Sequence, residues 1–316
     1  KIMMLGSCFS DNIGRQLGDF GFDVCVNPFG TLYNPMSIRH SISLLLGNEN
    51  FTEEDCVMMG AGADLFCSFR HHTSFARKTR EEFLENANAA LTEARTFFRE
   101  CNKVIITLGT SWCFRHRSSG EIVSNCLKID AKEFIREMLT AEQTAETLRW
   151  IMEACPDKQF IFTVSPIRHF KDGAHGNQLS KASLLLGIDR TISTSDEGKA
   201  DYFPAYELVI DELRDYRFYA DDMLHPSKVA IDYIWKRFSQ KYFSTQTIDL
   251  IAKATKLSQR LKHRPLTDNV AQIDKFHGET ERLISDFIAA HPFLQKLSLQ
   301  PLRCLRVFHR ASQTRM

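Results

Sequence analysis

Residues 2–8 read Ile2-Met3-Met4-Leu5-Gly6-Ser7-Cys8, an uncharged apolar run that ends in a glycine turn. Two further runs have the same form: Val104 to Leu108 leads into Gly109-Thr110-Ser111, and Phe160 to Val164 leads into Ser165-Pro166. Short apolar runs without charge are typical of strands buried on both faces, as in parallel sheets. The helical stretches predicted between them are Asp11–Phe20, Thr79–Cys101 and two within Ala131–Cys155. This alternation of strands and helices predicts an α/β fold with a doubly wound, mainly parallel sheet.

The composition changes after Thr245. Residues 248–261 and 269–290 have helical patterns that are rich in Lys, Gln, Arg and Glu, and they contain no strand-like run. We therefore predict one α/β domain over residues 1–243 and a helical C-terminal extension over residues 244–316. The extension is interpreted as a helical hairpin that packs on the main domain, with a lid or an oligomerisation arm as the alternative.

Composition excludes several classes of protein. The 316-residue chain has 40 Lys+Arg and 39 Asp+Glu, and this balance gives no field to hold a nucleic-acid backbone or an anionic membrane. No run approaches the roughly 20 apolar residues that a membrane-spanning helix needs. The 9 cysteines include no Cys-x-x-Cys pair, so neither a disulfide framework nor a zinc ribbon is predicted. We expect a cytoplasmic protein without nucleic-acid or membrane partners; because the chain starts at Lys1 and not at Met, a signal segment upstream stays open.

The turn at residues 6–10 comes directly before a predicted helix. In open α/β sheets, ligands bind at the carboxyl ends of the strands. The helix N-terminus places N–H groups and a partial positive charge beside Ser7 and Cys8. We therefore expect a lowered pKa for Cys8, which would make it a better nucleophile. The alternative is that Ser7 or Ser10 caps the helix and that Cys8 is a small buried residue.

The segment from Tyr216 to Ser227 contains Asp222 and His225, spaced as Asp-x-x-His. Pro226 opens an amphipathic helix, so His225 lies in the loop at its entrance. At this spacing the carboxylate can reach one imidazole nitrogen and set the tautomer, while the other nitrogen faces a nucleophile. The alternative is a surface histidine beside two acidic residues.

A nucleophile after the first strand and an Asp-x-x-His pair before the last helix of an α/β domain resemble the SGNH (GDSL-type) hydrolases. Within them, the turn at residues 6–10, Gly-Ser-Cys-Phe-Ser, is similar to the Gly-Ser-Cys-Phe-Ala motif that names the GSCFA family. The resemblance covers residues 2–243. The other segments that carry it are Asn27–Pro35, Thr107–Trp112, Val164–His169, Asn177–Lys181 and Tyr216–Ser227.

This resemblance implies an SGNH/flavodoxin-like three-layer sandwich and acyl-ester hydrolysis through a covalent acyl-enzyme. Aligned with the Gly-Asp-Ser-Leu pattern, Cys8 falls on the nucleophilic serine, and Ser7 is the alternative nucleophile. His225 is then the general base and Asp222 its orienting partner. Analogy with SGNH esterases implies small acyl groups, such as acetyl on a carbohydrate, as the substrate.

The resemblance also implies hydrogen-bond donors for the oxyanion that forms during acyl transfer. They are the N–H of the nucleophile, the N–H of Gly30, and Ser111, which stands where the family pattern of SGNH proteins has an asparagine. Asn34 and Asn125 are the side chains that could substitute for that asparagine.

Arg168 and His169 follow the third predicted strand. A planar guanidinium is suited to a carboxylate or phosphate of the substrate, so both residues are predicted to bind substrate. The alternative is an ion pair between Arg168 and an acid of residues 211–222. His71 and His72 are adjacent, and adjacent side chains rarely chelate one ion, so we predict no metal and no cofactor.

Two other functions stay open. One is an O-acyltransferase with the same triad, in which a hydroxyl acceptor replaces water. The other is a non-catalytic binding protein on the same fold, which the Ser7-Cys8 departure from the hydrolase pattern and the missing asparagine favour. The oligomeric state is not predicted.

Overall fold

The computed structural model describes residues 1–263, 266 and 269–292, and most of its strands belong to one parallel sheet. The strands are β1 (Ile2–Gly6), β2 (Val24–Val26), β3 (Val57–Met58), β4 (Phe66–Cys67), β5 (Lys103–Leu108), β6 (Trp112–His116), β7 (Ile122–Val123), β8 (Phe134–Met138), β9 (Gln159–Val164) and β10 (Ala200–Phe203). The α-helices are α1 (Cys8–Asp19), α2 (Pro35–Leu46), α3 (Arg80–Glu100), α4 (Ala141–Ala154), α5 (Gly173–Ile192), α6 (Ala205–Glu207), α7 (Lys228–Tyr242), α8 (Thr245–Lys262) and α9 (Val270–Ala290).

The central sheet has five strands in the order β10-β9-β5-β1-β2, and every neighbouring pair is parallel. Numbered along the chain, these strands lie in the order 2-1-3-4-5, which is the flavodoxin-like arrangement. The sequence-based prediction of an α/β fold with a mainly parallel sheet is therefore confirmed. In this arrangement the strand order reverses between β1 and β5, and that is the point where such folds bind ligands.

The core explains why the predicted strands form. Met3 and Leu5 of β1 are almost fully buried, as are Ile106 of β5 and Phe162 of β9. A strand with helices on both faces must be apolar along its whole length, because neither face reaches water. His71 also belongs to this core: its Nδ1 lies 2.7 Å from the Ser68 hydroxyl, and burial lowers its pKa to about 3.

One sequence-based prediction is wrong in part. Residues 131–155 were expected to hold two helical stretches, but Phe134–Met138 forms β8, which pairs antiparallel with β6 in a small three-stranded sheet. Ala131–Glu133 forms a short 3-10 helix, and the α-helix of this stretch is α4, which begins at a capping box between Thr140 and Gln143. β8 pairs with residues of β6 that lie 18 (His116 with Phe134) to 26 (Trp112 with Met138) positions earlier in the chain. The local sequence pattern of residues 134–138 therefore does not predict this pairing.

The chain divides into two compact units. One consists of residues 1–14 and 24–234, and the other of residues 15–23 and the chain from 235 onward. All the strands belong to the first unit. The boundary predicted at residue 243 stays a prediction.

Aromatic pairs stabilise the second unit. Phe20 stacks on Trp235 with ring centroids 5.4 Å apart, and Phe22 stacks on Phe243 at 5.1 Å. The helices predicted over 248–261 and 269–290 correspond to α8 and α9, whereas residues 293–316 of the predicted extension lie outside the described part. In the part that the structure describes, no helix combines the length and the apolar character needed to cross a membrane.

Candidate functional site

The predicted strand-end turns lie side by side. Gly6 at the end of β1 is in register with Thr107 of β5, and Leu108 is in register with Val164 of β9. The turns that follow these three strands therefore meet at one edge of the sheet. This edge includes the reversal of strand order between β1 and β5.

The turn after β1 is fixed to β5. Gly6 has φ +142°, and an added Cβ would lie 2.1 Å from the carbonyl oxygen of Thr107. The Gly6 N–H donates to Oδ1 of Asn27 at 2.8 Å, and the Ser7 N–H donates to the Thr107 carbonyl at 3.2 Å. Only glycine fits this position, because an L side chain would clash with backbone and adopt a rare conformation.

Ser7 and Cys8 have different environments. Ser7 is 4% exposed, and its Oγ accepts a hydrogen bond from the Phe9 N–H at 3.2 Å. Cys8 is exposed and is the first residue of α1. The Cys8 N–H hydrogen-bonds the thiol of the same residue, which lowers the pKa of that thiol. Ser7 thus acts in the helix cap, whereas Cys8 presents its thiol at the helix N-terminus.

The expected lowering of the Cys8 pKa is wrong. Partial removal of the thiol from water raises its pKa, and the carboxylate of Asp11 raises it further. The N–H of Cys8 itself and then the Thr31 hydroxyl act in the opposite direction. Asp11 lies one turn along α1 and accepts hydrogen bonds from Asn27 Nδ2 at 2.7 Å and Thr31 Oγ1 at 3.3 Å. Burial and this nearby negative charge together oppose a thiolate and outweigh the favourable end of the helix.

The hydrogen bond predicted between Asp222 and His225 is present. Nδ1 of His225 lies 2.6 Å from Oδ2 of Asp222. The other carboxylate oxygen accepts the N–H groups of Leu224 at 2.9 Å and His225 at 3.0 Å. These three bonds lower the pKa of Asp222 to about 2. The carboxylate therefore holds Nδ1, and Nε2 is the nitrogen left for proton transfer.

The structure does not bring the nucleophile candidates into hydrogen-bond contact with His225. Within residues 1–263, neither Cys8 nor Ser7 makes a hydrogen bond to the imidazole. The His225 loop is nevertheless tied to the same edge of the sheet, because the Arg168 N–H donates to the Leu224 carbonyl at 3.2 Å. Catalytic contacts are often long in ligand-free enzymes and tighten on substrate binding. The triad stays a prediction.

Tyr33 and His169 line the space between these turns. Their ring centroids are 5.4 Å apart. Burial raises the pKa of Tyr33, and the charges of Cys8 and Asp172 raise it further. Burial and the Lys181 ammonium lower the pKa of His169 to about 4, so its imidazole is neutral at physiological pH. A neutral imidazole adds no charge to the site, and the substrate-binding role of His169 stays a prediction.

Sequence reasoning assigned no role to Lys181, although it belongs to the Asn177–Lys181 motif. This lysine is 1% exposed, and its Nζ donates to the carbonyls of Gly109 at 2.6 Å and Ser165 at 2.7 Å. It thereby joins the turns after β5 and β9, and burial lowers its pKa to about 7. A signal was available: Lys181 shares the buried face of α5 with Leu184 and Ile188, at helical spacing.

The candidate oxyanion donors differ in what they can offer. The Gly30 N–H already donates to the Asn27 carbonyl at 2.8 Å, and the Ser111 hydroxyl donates to Ser180 Oγ at 3.1 Å. Neither donor is free in this structure. Asn34 caps α2 through Oδ1, which accepts the Ser37 N–H at 2.9 Å, and its Nδ2 has no hydrogen-bond partner in residues 1–263. Among Gly30, Ser111 and Asn34, it is therefore Asn34 that has an unused donor in the described residues.

Arg168 makes no ion pair with the described residues. Its guanidinium instead lies over the ring of Tyr219, 4.2 Å from the centroid, and 5.1 Å from that of Tyr216. The alternative of an ion pair with residues 211–222 is therefore wrong. Cation–π stacking holds the guanidinium without neutralising it.

The comparisons with known proteins bear on this arrangement. No curated protein and no solved structure matched the chain. One family model matched, the GSCFA family, over residues 1–238, a range that contains the turn after β1, the strand-end edge and the Asp222–His225 loop. With most of its length and every candidate site residue inside that match, the chain belongs to the GSCFA family.

Proposed function

We propose that the protein is an SGNH-type hydrolase of small acyl esters and that Cys8 is its nucleophile. The observation that carries the proposal is the Asp222–His225 pair, in which a carboxylate fixed by two N–H groups holds Nδ1 and leaves Nε2 free. This is the geometry that makes a histidine a general base for a neighbouring nucleophile. Family membership supports the same class of reaction.

The reaction would run in two steps. The Cys8 sulfur attacks the ester carbonyl while His225 Nε2 takes the thiol proton; the C–O bond then breaks, and the alcohol leaves with that proton. Water next attacks the thioester, His225 accepts its proton, and the C–S bond breaks to release the acid and restore the thiol. The amide of Asn34 would stabilise the oxyanion in both steps. Acetyl groups on a carbohydrate remain the substrate we favour.

Intact mass after brief exposure to p-nitrophenyl acetate and acid quench tests this proposal. We expect an acetyl adduct on the wild type that is lost in Cys8→Ala, reduced in His225→Ala and kept in Ser7→Ala. Loss only in Ser7→Ala would move the nucleophile by one residue. An adduct that no variant alters would contradict the proposal.

A binding protein without catalysis is the second candidate. It is favoured by the raised pKa of Cys8 and by the missing hydrogen bond between Cys8 and His225. The labelling experiment separates the two functions, because a non-catalytic protein forms no acyl adduct that depends on His225.

A further inference from the structure

A cavity of about 220 Å³ lies beside the turn that follows β9, and the proposed catalytic residues do not line it. Its wall comes from three segments: Arg168 from that turn, Gln178 from α5, and residues 209–219. The volume suits a small molecule or the end group of a larger one. Its chemistry differs from that of the Cys8 turn.

Two arginines of the wall are not neutralised. Neither Arg168 nor Arg214 forms an ion pair with any residue in the described part of the chain. Tyr219 supports Arg168 from one face, with 4.2 Å between Cζ and the ring centroid. Stacking on a ring holds a guanidinium by its face and leaves its N–H edge for a planar anion.

Neutral donors complete the wall. Tyr219 is 8% exposed, and its buried hydroxyl has no hydrogen-bond partner among the described residues. The Tyr206 hydroxyl donates to Oε1 of Gln178 at 2.5 Å, which leaves the Gln178 amide N–H groups unused. The Gln178 amide is therefore the neutral donor that this wall offers to a ligand.

Acceptors and apolar groups occupy the rest of the lining. Asp215 is the one carboxylate among the described lining residues, and it is already engaged: Oδ1 accepts the Arg217 N–H at 2.9 Å, and Oδ2 lies 3.9 Å from Arg217 Nε. Val209 and Ile210 contribute an apolar side. The cavity therefore combines unused donors and positive charge with a short apolar wall.

We propose that this cavity binds a small organic anion, whose carboxylate or phosphate group contacts Arg168 and Arg214 and whose apolar part lies against Val209 and Ile210. The binding itself is independent of the proposed hydrolase function. That the anion is part of the substrate rests on that function and on the backbone contact between Arg168 and the His225 loop.

Isothermal titration calorimetry at constant ionic strength tests the site with matched probes: valerate, its uncharged analogue valeramide, acetate and inorganic phosphate. We expect valerate to bind with a dissociation constant on the order of 1 mM and valeramide not to bind. Acetate that binds more weakly than valerate would support the apolar wall, and phosphate that binds more tightly than valerate would identify the preferred group as phosphate. If none of the anions binds, or if valeramide binds as well as valerate, the proposal is overturned.

Substitutions locate the binding. Arg168→Gln and Arg214→Gln should each weaken the tighter of valerate and phosphate about tenfold, because each removes charge-assisted hydrogen bonds. Tyr219→Phe keeps the ring that supports Arg168 and removes only a hydroxyl that is buried away from solvent, so binding should hardly change. Arg99→Gln, at an exposed position of α3, is the matched control and should change nothing. Binding that is unaltered in both arginine variants would place the anion elsewhere and end the proposal.

Circular dichroism would establish that each variant is folded. Because calorimetry needs no turnover, the two proposals fail separately. A protein that binds valerate but never forms an acyl adduct retains this site and loses the hydrolase function. A protein that is acylated at Cys8 but binds none of the anions retains the hydrolase function and loses the anion site.

Discussion

The turn after β1 and the Asp222–His225 loop carry the two halves of the proposed catalytic group, and different contacts hold them. The turn depends on distant partners: Gly6 and Ser7 bond to Asn27 and to Thr107 on the neighbouring strand. The loop is largely self-contained, since Asp222 bonds within three residues of itself. Damage to the sheet should therefore displace the nucleophile, whereas damage to the loop should disable the base and leave the fold intact.

The largest expected effect comes from breaking the loop. Asp222→Asn removes the charge that orients His225 and stabilises its protonated form, so acetylation of Cys8 by p-nitrophenyl acetate should slow about a thousandfold. The thermal unfolding midpoint should hardly move, because the carboxylate is exposed. Asp221→Asn, the adjacent exposed acid, is the control and should react at the wild-type rate. Equal rates for both variants would remove Asp222 from the mechanism.

Breaking the turn should instead reduce stability. Gly6→Ala places a Cβ 2.1 Å from the Thr107 carbonyl oxygen at φ +142°, and we expect a loss of about 4 kcal/mol in the free energy of unfolding. Gly62→Ala also has positive φ, +65°, but meets no atom within 4 Å, so it should lose about 1 kcal/mol. Urea denaturation measures both. Similar losses would show that the close approach to β5 contributes nothing.

A substitution at Lys181 measures how much this residue stabilises the edge of the sheet that carries the turn after β1 and the Asp222–His225 loop. Lys181→Met leaves two buried carbonyls without their donor, so we expect a loss of about 3 kcal/mol at pH 9.5. Burial lowers the lysine pKa from 10.5 to about 7 in the folded chain. As the pH falls from about 10 to about 7, the unfolded chain therefore takes up the proton first, and the wild type loses stability relative to Lys181→Met.

The difference in free energy of unfolding between the wild type and Lys181→Met should thus decrease from pH 9.5 to pH 7.5 and become constant below about pH 7. Urea unfolding of both proteins across this range measures it, with Lys132→Met at an exposed position as the control. A stability difference that stays constant from pH 9.5 to pH 7.5 would mean that the buried amine keeps its proton throughout.

The smallest expected effect is on the reactivity of the Cys8 thiol in the turn after β1. Asp11→Asn removes the carboxylate that raises the Cys8 pKa, so the thiolate fraction should rise and alkylation by iodoacetamide at pH 7.5 should accelerate about threefold. Thr31→Val removes the opposing hydrogen bond and should slow the same reaction. Peptide mapping follows Cys8 separately from the other cysteines. Changes of the same sign in both variants would contradict the arrangement of Asp11, Thr31 and Cys8.

Features of the fold and the site that depend on local sequence could be predicted. The strands at β1, β5 and β9 were predictable because burial on both faces leaves an uninterrupted apolar run. The Asp222–His225 bond was predictable because both residues belong to one short loop. Neither prediction needed knowledge of a distant contact.

The features that sequence reasoning missed depend on which groups are already engaged or buried. The Gly30 N–H is used in a turn with Asn27, three residues earlier, and the Cys8 pKa is raised by burial and then by Asp11. Arg168 was weighed against an acid, whereas its partner is the ring of Tyr219, about fifty residues along the chain. The sequence predicts that a buried or half-buried arginine has a partner, but it does not show whether that partner is an anion or an aromatic ring.

The buried amine of Lys181 also has a consequence for chemical labelling. An amine whose pKa is about 7 has a large unprotonated fraction in neutral buffer and would be acylated readily if reagents could reach it, yet it is 1% exposed. Its modification by an amine-directed reagent must therefore wait for α5 to separate from the strand ends. Once reagent is in excess, the labelling rate at this one position reports how often that edge of the sheet opens.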